Sequence, residues 1–243
     1  MHPKEYFLEK LVEESIIKSR TKILEFGSGQ SRAIITILEK FPNVTYVGVE
    51  PSKKDADIAR ELLKSFKNVK ILNRHAYGVI EGTGEFDLCF SLSVLEHIKQ
   101  LGRFLSNSIL SVKEGGYVIH GYDLGHSLYP GSIKERFQTF LGDNAPWILP
   151  EHKFVRYINK KNVIDFLIKN GVSIEKVTYA QMPNHKTFLE HFKTDNGRKE
   201  NLAKKILDWE YEVSEFLPEM GTAQIERLFP TVTIWSKKTK FKE

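Results

Sequence analysis

The stretch from Ile23 to Ala33, ILEFGSGQSRA, limits more than any other what this chain can fold into. Ile23, Leu24, Glu25 and Phe26 read as the end of a buried strand, and Gly27 and Gly29 permit a tight turn. Ile34, Ile35, Ile37, Leu38 and Phe41 then recur on one face of a helix. A strand, a turn and a helix in that order open a βαβ unit. Such units take their ligands at the carboxyl ends of the strands.

The same alternation runs through most of the chain. Residues 4 to 19 carry Phe7, Leu8, Leu11, Val12, Ile16 and Ile17 at helical spacing, which predicts a helix covering the first 20 residues. After strand 23–26, a helix is expected from Ser31 to the stop at Pro42. NVTYVGVEPS supplies a second strand ending at Glu50, and Ser52 with Asp55 forms a capping pair ahead of the next helix. VKIL and FDLCFS are the third and fourth strands, with a helix holding Val94, Leu95, Ile98, Leu101 and Phe104 after the latter. GGYVIHGYD is the fifth strand. Residues 124–158 then read as an irregular insertion, and so long a connection inside a domain is usually a lid or a binding loop. A helix over 160–170 stopped by Gly171, a sixth strand VSIEKVTYAQM, a helical insertion over 184–228 and a seventh strand TVTIWSKK complete the order. Strands alternating with helices predict one α/β domain over residues 1–243. Its expected form is a Rossmann-like, doubly wound, seven-stranded and mostly parallel sheet with an antiparallel edge strand, plus helical insertions.

Composition removes several classes of function. No run approaches the ~20 apolar residues of a membrane span. The charged start MHPKEYFLEKLVEES lacks the pattern of a secretory signal, so a cytoplasmic location is expected. Cys89 is the sole cysteine, which excludes an internal disulfide and a cysteine-based zinc cluster, and no metal is expected. The net charge is +5, but lysine and arginine are dispersed apart from the tail SKKTKFKE, so no nucleic-acid partner is expected.

A dinucleotide fold wants a third glycine where Arg32 stands, and a carboxylate as close to the turn as Glu25 would repel a pyrophosphate. Glu50, ending the second strand, is suited to accept hydrogen bonds from both hydroxyls of a ribose. A cationic nucleoside without phosphate, such as S-adenosylmethionine, meets these conditions. LEFGSGQS, VGVEPS, FDLCFSLSVLEHI and VKEGGYVIH, in this order and spacing, resemble the class I S-adenosylmethionine-dependent methyltransferases over roughly residues 20–122. The resemblance implies a cofactor site built from Glu25, Phe26, Gly27, Ser28, Gly29, Ser31, Glu50, Pro51, His75, Ala76, Ser91, Leu92 and His97. Ser31 stands where many relatives have glycine, and a helix-capping role is expected for it. His75 stands where many have aspartate toward the adenine.

For the chemistry, His120, Asp123 and His126 in HGYDLGH are the candidate bases at the end of the fifth strand. Tyr122, Arg136, Trp147, His152 and Arg156 are the candidate acceptor contacts, since arginines clamp anions and aromatics stack on rings. The expected reaction is methyl transfer to an oxygen, or second to a nitrogen, of a small metabolite or phosphorylated glycan precursor. GGYVIHGYDLGH and the basic, aromatic stretch after it also resemble methyltransferases of bacterial capsule and surface-polysaccharide building. A cofactor-binding subunit or regulator without turnover and an RNA methyltransferase are the alternatives, the latter opposed by SLSV where an NPPY-type segment would stand. The protein is expected as a monomer or homodimer.

Overall fold

The computed structural model describes residues 2–78, 80–145, 147–149, 154–181, 195–217 and 222–239. Seven strands form one sheet: β1 (Lys22–Phe26), β2 (Thr45–Val49), β3 (Val69–Leu72), β4 (Phe86–Leu92), β5 (Val112–Asp123), β6 (Val172–Ala180) and β7 (Thr231–Lys238). Their order is β3-β2-β1-β4-β5-β7-β6. The first five pair in parallel, while β7 runs antiparallel to both β5 and β6. The expected antiparallel edge is therefore the β7–β6 pair, with the reversed strand second from the edge. The order turns back between β1 and β4, and their carboxyl ends frame the crevice where such sheets bind ligands.

Apolar side chains cover both faces of the sheet. Helices α1 (Pro3–Glu13), α2 (Ile35–Lys40) and α3 (Lys53–Leu63) pack on one face through Phe7, Leu8, Leu11, Ile37, Leu38, Ala59 and Leu63. On the other, α4 (Leu101–Ser111) and α7 (Lys160–Lys169) bury Phe104, Leu105, Val163 and Leu167 against Phe26, Val118 and Tyr122. Fully burying such a side chain contributes on the order of 1.5–3 kcal/mol, so these two layers fix the sheet between them.

Several boundaries differ from expectation for local reasons. Helix α1 stops at Glu13 because Ser15 takes a left-handed φ of 58°, and the amides of Ile16 and Ile17 turn back onto the carbonyl of Leu11. His2 caps its start by accepting from the Lys4 amide, and Glu5 returns a bond to the His2 amide. Helix α2 begins at Ile35 rather than Ser31. Ser31 has a φ of 55° and its hydroxyl meets the Tyr46 hydroxyl at 3.2 Å, so it caps nothing. The helix expected after β4 is split into a single 3-10 turn, Leu95–His97, and α4, with Ile98 extended between them. The stretch 124–158, expected to be irregular, contains α5 (Gly125–Leu128) and the longer α6 (Ile133–Asn144), which Ser132 caps by accepting from the Glu135 amide. Between β6 and β7 lie α8 (Asn196–Phe216) and α9 (Thr222–Leu228).

Candidate active site

The turn after β1 is held from below and from the side. Gly27 and Ser28 donate to the carbonyl of Val49 at 2.8 and 3.2 Å, which draws the turn over the end of β2. Gly27 has a φ of 70°, and a Cβ there would come within 2.3 Å of a Val94 methyl, so the position admits glycine alone. Gly29 has a φ of 57° and open space beside it.

Glu50 completes the turn. One carboxylate oxygen accepts from the Gly29 amide and the other from the Ser52 amide, each at 2.8 Å, so its orientation is set by the backbone. A carboxylate oxygen has two acceptor positions, and each oxygen of Glu50 keeps one for a ligand. Beside it opens a cleft of about 590 Å³ lined by Gly27, Glu50, Pro51, Arg74, His75, Ala76, Tyr77, Ser93, Val94 and His97. The rings of His75 and Tyr77 lie parallel with centroids 6.1 Å apart. Both belong to this cleft.

Glu25 is fully buried below the turn. It accepts from the Tyr46 hydroxyl at 2.6 Å and forms an ion pair with Lys4 of α1. Burial raises its pKa, and the Lys4 ammonium and the Tyr46 hydroxyl oppose that rise. The Lys4 ammonium also lies 3.4 Å from the carbonyl of Ser28.

A second cavity, about 240 Å³, adjoins the first. Its floor is Leu92, Ser93 and Gly121 at the ends of β4 and β5. Its walls are largely apolar: Tyr6 and Phe7 of α1, Leu207 and Tyr211 of α8, Tyr179 of β6 and Trp235 of β7. Lys4, Thr178, Gln181, Thr231 and Thr233 supply polar groups. Ser93 lines both cavities and holds a left-handed φ of 54° while its amide donates to the Gly121 carbonyl at 2.9 Å. Backbone held in so sparsely populated a region costs on the order of 1–3 kcal/mol and gathers at functional sites.

The expected cofactor residues divide by this geometry. Gly27, Glu50, Pro51, His75, Ala76 and His97 line the cleft. Leu92 belongs to the adjoining cavity. Phe26 is buried with its ring 5.3 Å from that of Phe104, and a Cβ on Gly48 would touch the Ser28 hydroxyl at 2.9 Å, so both side chains point into the protein. Ser91 is buried with its hydroxyl 2.8 Å from His120 Nδ1.

His120, Asp123 and His126 do not converge. His120 is fully enclosed between Ser91 and the Phe104 ring, and burial lowers its pKa to about 3. Asp123 accepts from the Gly125 amide at 2.6 Å, closing its own turn. His126 is exposed and lies 6.1 Å, ring to ring, from His97. Two imidazoles line the cleft, that of His75 and, on the turn after β4, that of His97. His97 Nδ1 lies 2.9 Å from the Phe154 carbonyl, which can only accept, so the proton sits on Nδ1 and Nε2 carries the lone pair. Burial lowers the His97 pKa and keeps the ring neutral. Next to it Glu96 is buried, and burial raises its pKa to about 8.

Among the described residues, the expected acceptor contacts Tyr122, Arg136, Trp147 and Arg156 are absent from the lining of both cavities. Tyr122 is fully buried in the core on β5, and Arg136 and Trp147 are exposed on the stretch after β5. Arg156 lies over the Phe154 ring at 5.8 Å, and His152 lies outside the described residues. Lys4, Tyr6, Ser93, Tyr211 and Trp235 were not legible as site residues, because α1 and α8 read as ordinary amphipathic helices. The second serine of SLSV was the one local hint.

Residues 24–118 match the family model for a methyltransferase domain. No curated protein matches the chain. A structure described as a candidate sarcosine dimethylglycine methyltransferase from Galdieria sulphuraria superposes with a TM-score of 0.64 at 12% identity, over 97% of this chain and 85% of that one. Geranyl diphosphate C-methyltransferase from Streptomyces coelicolor, solved with magnesium, geranyl diphosphate and S-adenosyl-L-homocysteine, gives 0.60 at 12% identity over 96% and 77%. The 4+2 cyclase SpnF gives 0.59 at 12% identity over 97% and 80%. Residues 24–118 are thus similar to a methyltransferase domain, and the superpositions show that the chain shares the fold of these proteins.

Proposed function

We propose that this protein binds S-adenosylmethionine in the Glu50 cleft and transfers its methyl group to an oxygen, or second to a nitrogen, of a small molecule seated in the aromatic cavity beside it. One observation carries the reading. A carboxylate oriented by two backbone amides stands at a cleft that meets an apolar-walled cavity at a single strained residue, Ser93. The residues fit this cofactor. Glu50 suits a ribose, Glu25 and Glu50 together disfavour a phosphate, and the glycine turn admits a ligand close to its backbone. When bound, the cofactor supplies an electrophilic methyl on a sulfonium, so the chain's own task is position and proton control. Holding nucleophile and methyl in line contributes up to ~7–11 kcal/mol to lowering the barrier. His97 lines the cofactor cleft and not the aromatic cavity, and with Nε2 unprotonated it is the base for an acceptor hydroxyl that reaches past Ser93 toward the methyl.

The walls of the second cavity favour an acceptor with an apolar or aromatic body. Among the described residues the lining holds no arginine, and its lysines, Lys4 and Lys10, are paired with carboxylates, so the capsule and glycan-precursor expectation gains no support from it. An RNA acceptor is likewise disfavoured by the small size of that cavity, about 240 Å³. That a fold relative is named for a cyclisation makes turnover itself the deciding assay between a transferase and a cofactor binder without methyl transfer. In calorimetry, Glu50→Ala should weaken S-adenosylmethionine binding at least about tenfold, the scale of lost hydrogen bonds to a charged group. Unchanged affinity would overturn the ribose assignment. Incubation with cofactor and a small-molecule extract, read by mass spectrometry, should reveal a methylated product, and His97→Asn should lower its rate of formation at saturating cofactor.

A further inference from the structure

We propose that the outer face of α6, with Trp147 and Ile148 beyond its end, is a docking surface for an anionic lipid bilayer. The inference goes beyond the transfer reaction and does not rest on the cofactor.

Helix α6 is polar toward the protein and apolar toward solvent. Ile133, Phe137 and Phe140 recur at the spacing of one helix face, and all three are exposed. Half a turn round from Ile133, Gly142 is buried, and a Cβ there would meet the Val155 carbonyl at 1.8 Å, so that side of the helix lies against backbone. Gln138 and Thr139 on the same side are half-buried. A helix that only covers a core turns its apolar stripe inward. This one is reversed.

The apolar surface continues past both ends of the helix. The Ile148 amide donates to the Ala145 carbonyl at 3.0 Å, so the turn that carries the exposed Trp147 and Ile148 follows α6 directly. Before the helix, Tyr129 is exposed and its hydroxyl donates to the Arg227 carbonyl at 2.6 Å, which joins α9, with its exposed Leu228, to this stretch.

The charges select the partner. Lys134 and Arg136 lie on either side of the apolar stripe and are exposed, as is Arg227. Lys99 donates to the carbonyl of Leu149, two residues past Trp147. The acids are turned inward: Glu135 accepts from the Gly131 amide at 2.6 Å and Asp143 from the Tyr157 amide at 3.0 Å, while the buried Glu226 accepts from the Tyr157 hydroxyl at 2.8 Å. Large apolar and aromatic side chains that enter the headgroup boundary, with lysine and arginine beside them to meet anionic lipid, are what an interfacial helix needs. A second copy paired through this face by a two-fold axis would set the same cations against each other. The contact is with the surface alone, since among the described residues no helix is long and apolar enough to cross a membrane. The stretch also returns to the cleft, where the Phe154 carbonyl lies 2.9 Å from His97 Nδ1 and the Arg156 amide donates to the Glu96 carbonyl at 3.0 Å.

The test is sedimentation of the full-length protein with vesicles of phosphatidylcholine alone and of an equal mixture of phosphatidylcholine and phosphatidylglycerol. The wild type should bind the anionic vesicles at least about tenfold more strongly than the neutral ones, and added salt should narrow the difference. Phe137→Ser combined with Phe140→Ser should weaken binding to the anionic vesicles on the order of ten- to a hundredfold, with circular dichroism and Tm as in wild type. Lys134→Gln combined with Arg136→Gln should weaken it on the order of tenfold and leave binding to the neutral vesicles unchanged. Should the double serine variant lose its fold, Ile133→Ser answers the same question by the same comparison. Absence of binding to the anionic vesicles overturns the proposal, as does binding that none of these substitutions alters. A stable dimer in sedimentation velocity that Phe137→Ser dissociates, together with failure to bind vesicles, would assign the face to a second copy and overturn it as well.

Discussion

Gly27 and Gly29 look alike in the sequence, both with positive φ, yet the space around them differs. At Gly27 a methyl would run into Val94, whereas at Gly29 it would meet nothing within 4 Å. Gly29→Ala should therefore cost only the strain of its left-handed backbone, about 1 kcal/mol, while Gly27→Ala should cost more, on the order of 2–4 kcal/mol, as the Val94 side chain and the turn shift. Urea denaturation of the two variants measures the difference, and equal losses would contradict the geometry. His120 makes a prediction about acid. Its pKa in the fold is about 3 against about 6.5 when exposed, so below pH 6.5 the unfolded chain binds a proton that the folded one does not. Stability is thus lost as pH falls from 6.5 toward 3, with a loss on the order of 3 kcal/mol by pH 4. His120→Asn should show a smaller decline between pH 7 and pH 4 in the same denaturation assay.

At the level of elements, the strands were legible because each is a short apolar run bounded by glycine, proline or polar turns, and the parallel order followed from the helices between them. Helix ends were less so. The stops at Glu13 and the late start at Ile35 depend on serines in left-handed conformations, a residue type that local propensity does not send there. Helix α6 carries a helical spacing, Ile133, Phe137 and Phe140, that the surrounding prolines and glycines mask, and this face is open: Ile133 is 86% exposed, Phe137 61% and Phe140 60%. A face so open in the chain makes Phe137→Lys a mild change. Its melting temperature should stay within about 2 °C of wild type, as for a surface substitution of under ~0.5 kcal/mol. A much larger fall would mean that this face is covered in solution.

Across the whole molecule, Cys89 offers a single internal reporter. It sits on the central strand β4, fully buried, with its thiol pKa pushed up by burial. A thiol reagent should leave it unmodified in the native protein, and labelling in denaturant should follow global unfolding as read by circular dichroism. Rapid labelling without denaturant would show that the centre of the sheet opens locally. The Glu50 half of the candidate site is framed by consecutive strand–turn units, with Gly27 and Glu50 23 positions apart, a spacing that short-range patterning can read. The other half is assembled from α1, β5, β6, α8 and β7, which meet only because the sheet order brings β7 between β5 and β6. Strand and helix periods, and the carboxylates flanking a glycine turn, are local properties, and the sequence by itself determined them. Which imidazoles face the cleft, which lysine meets Glu25 and which aromatics wall the second cavity depend on contacts between residues as much as 231 positions apart, from Lys4 to Trp235. Burial and packing across the finished sheet decided those, and no local pattern encodes them.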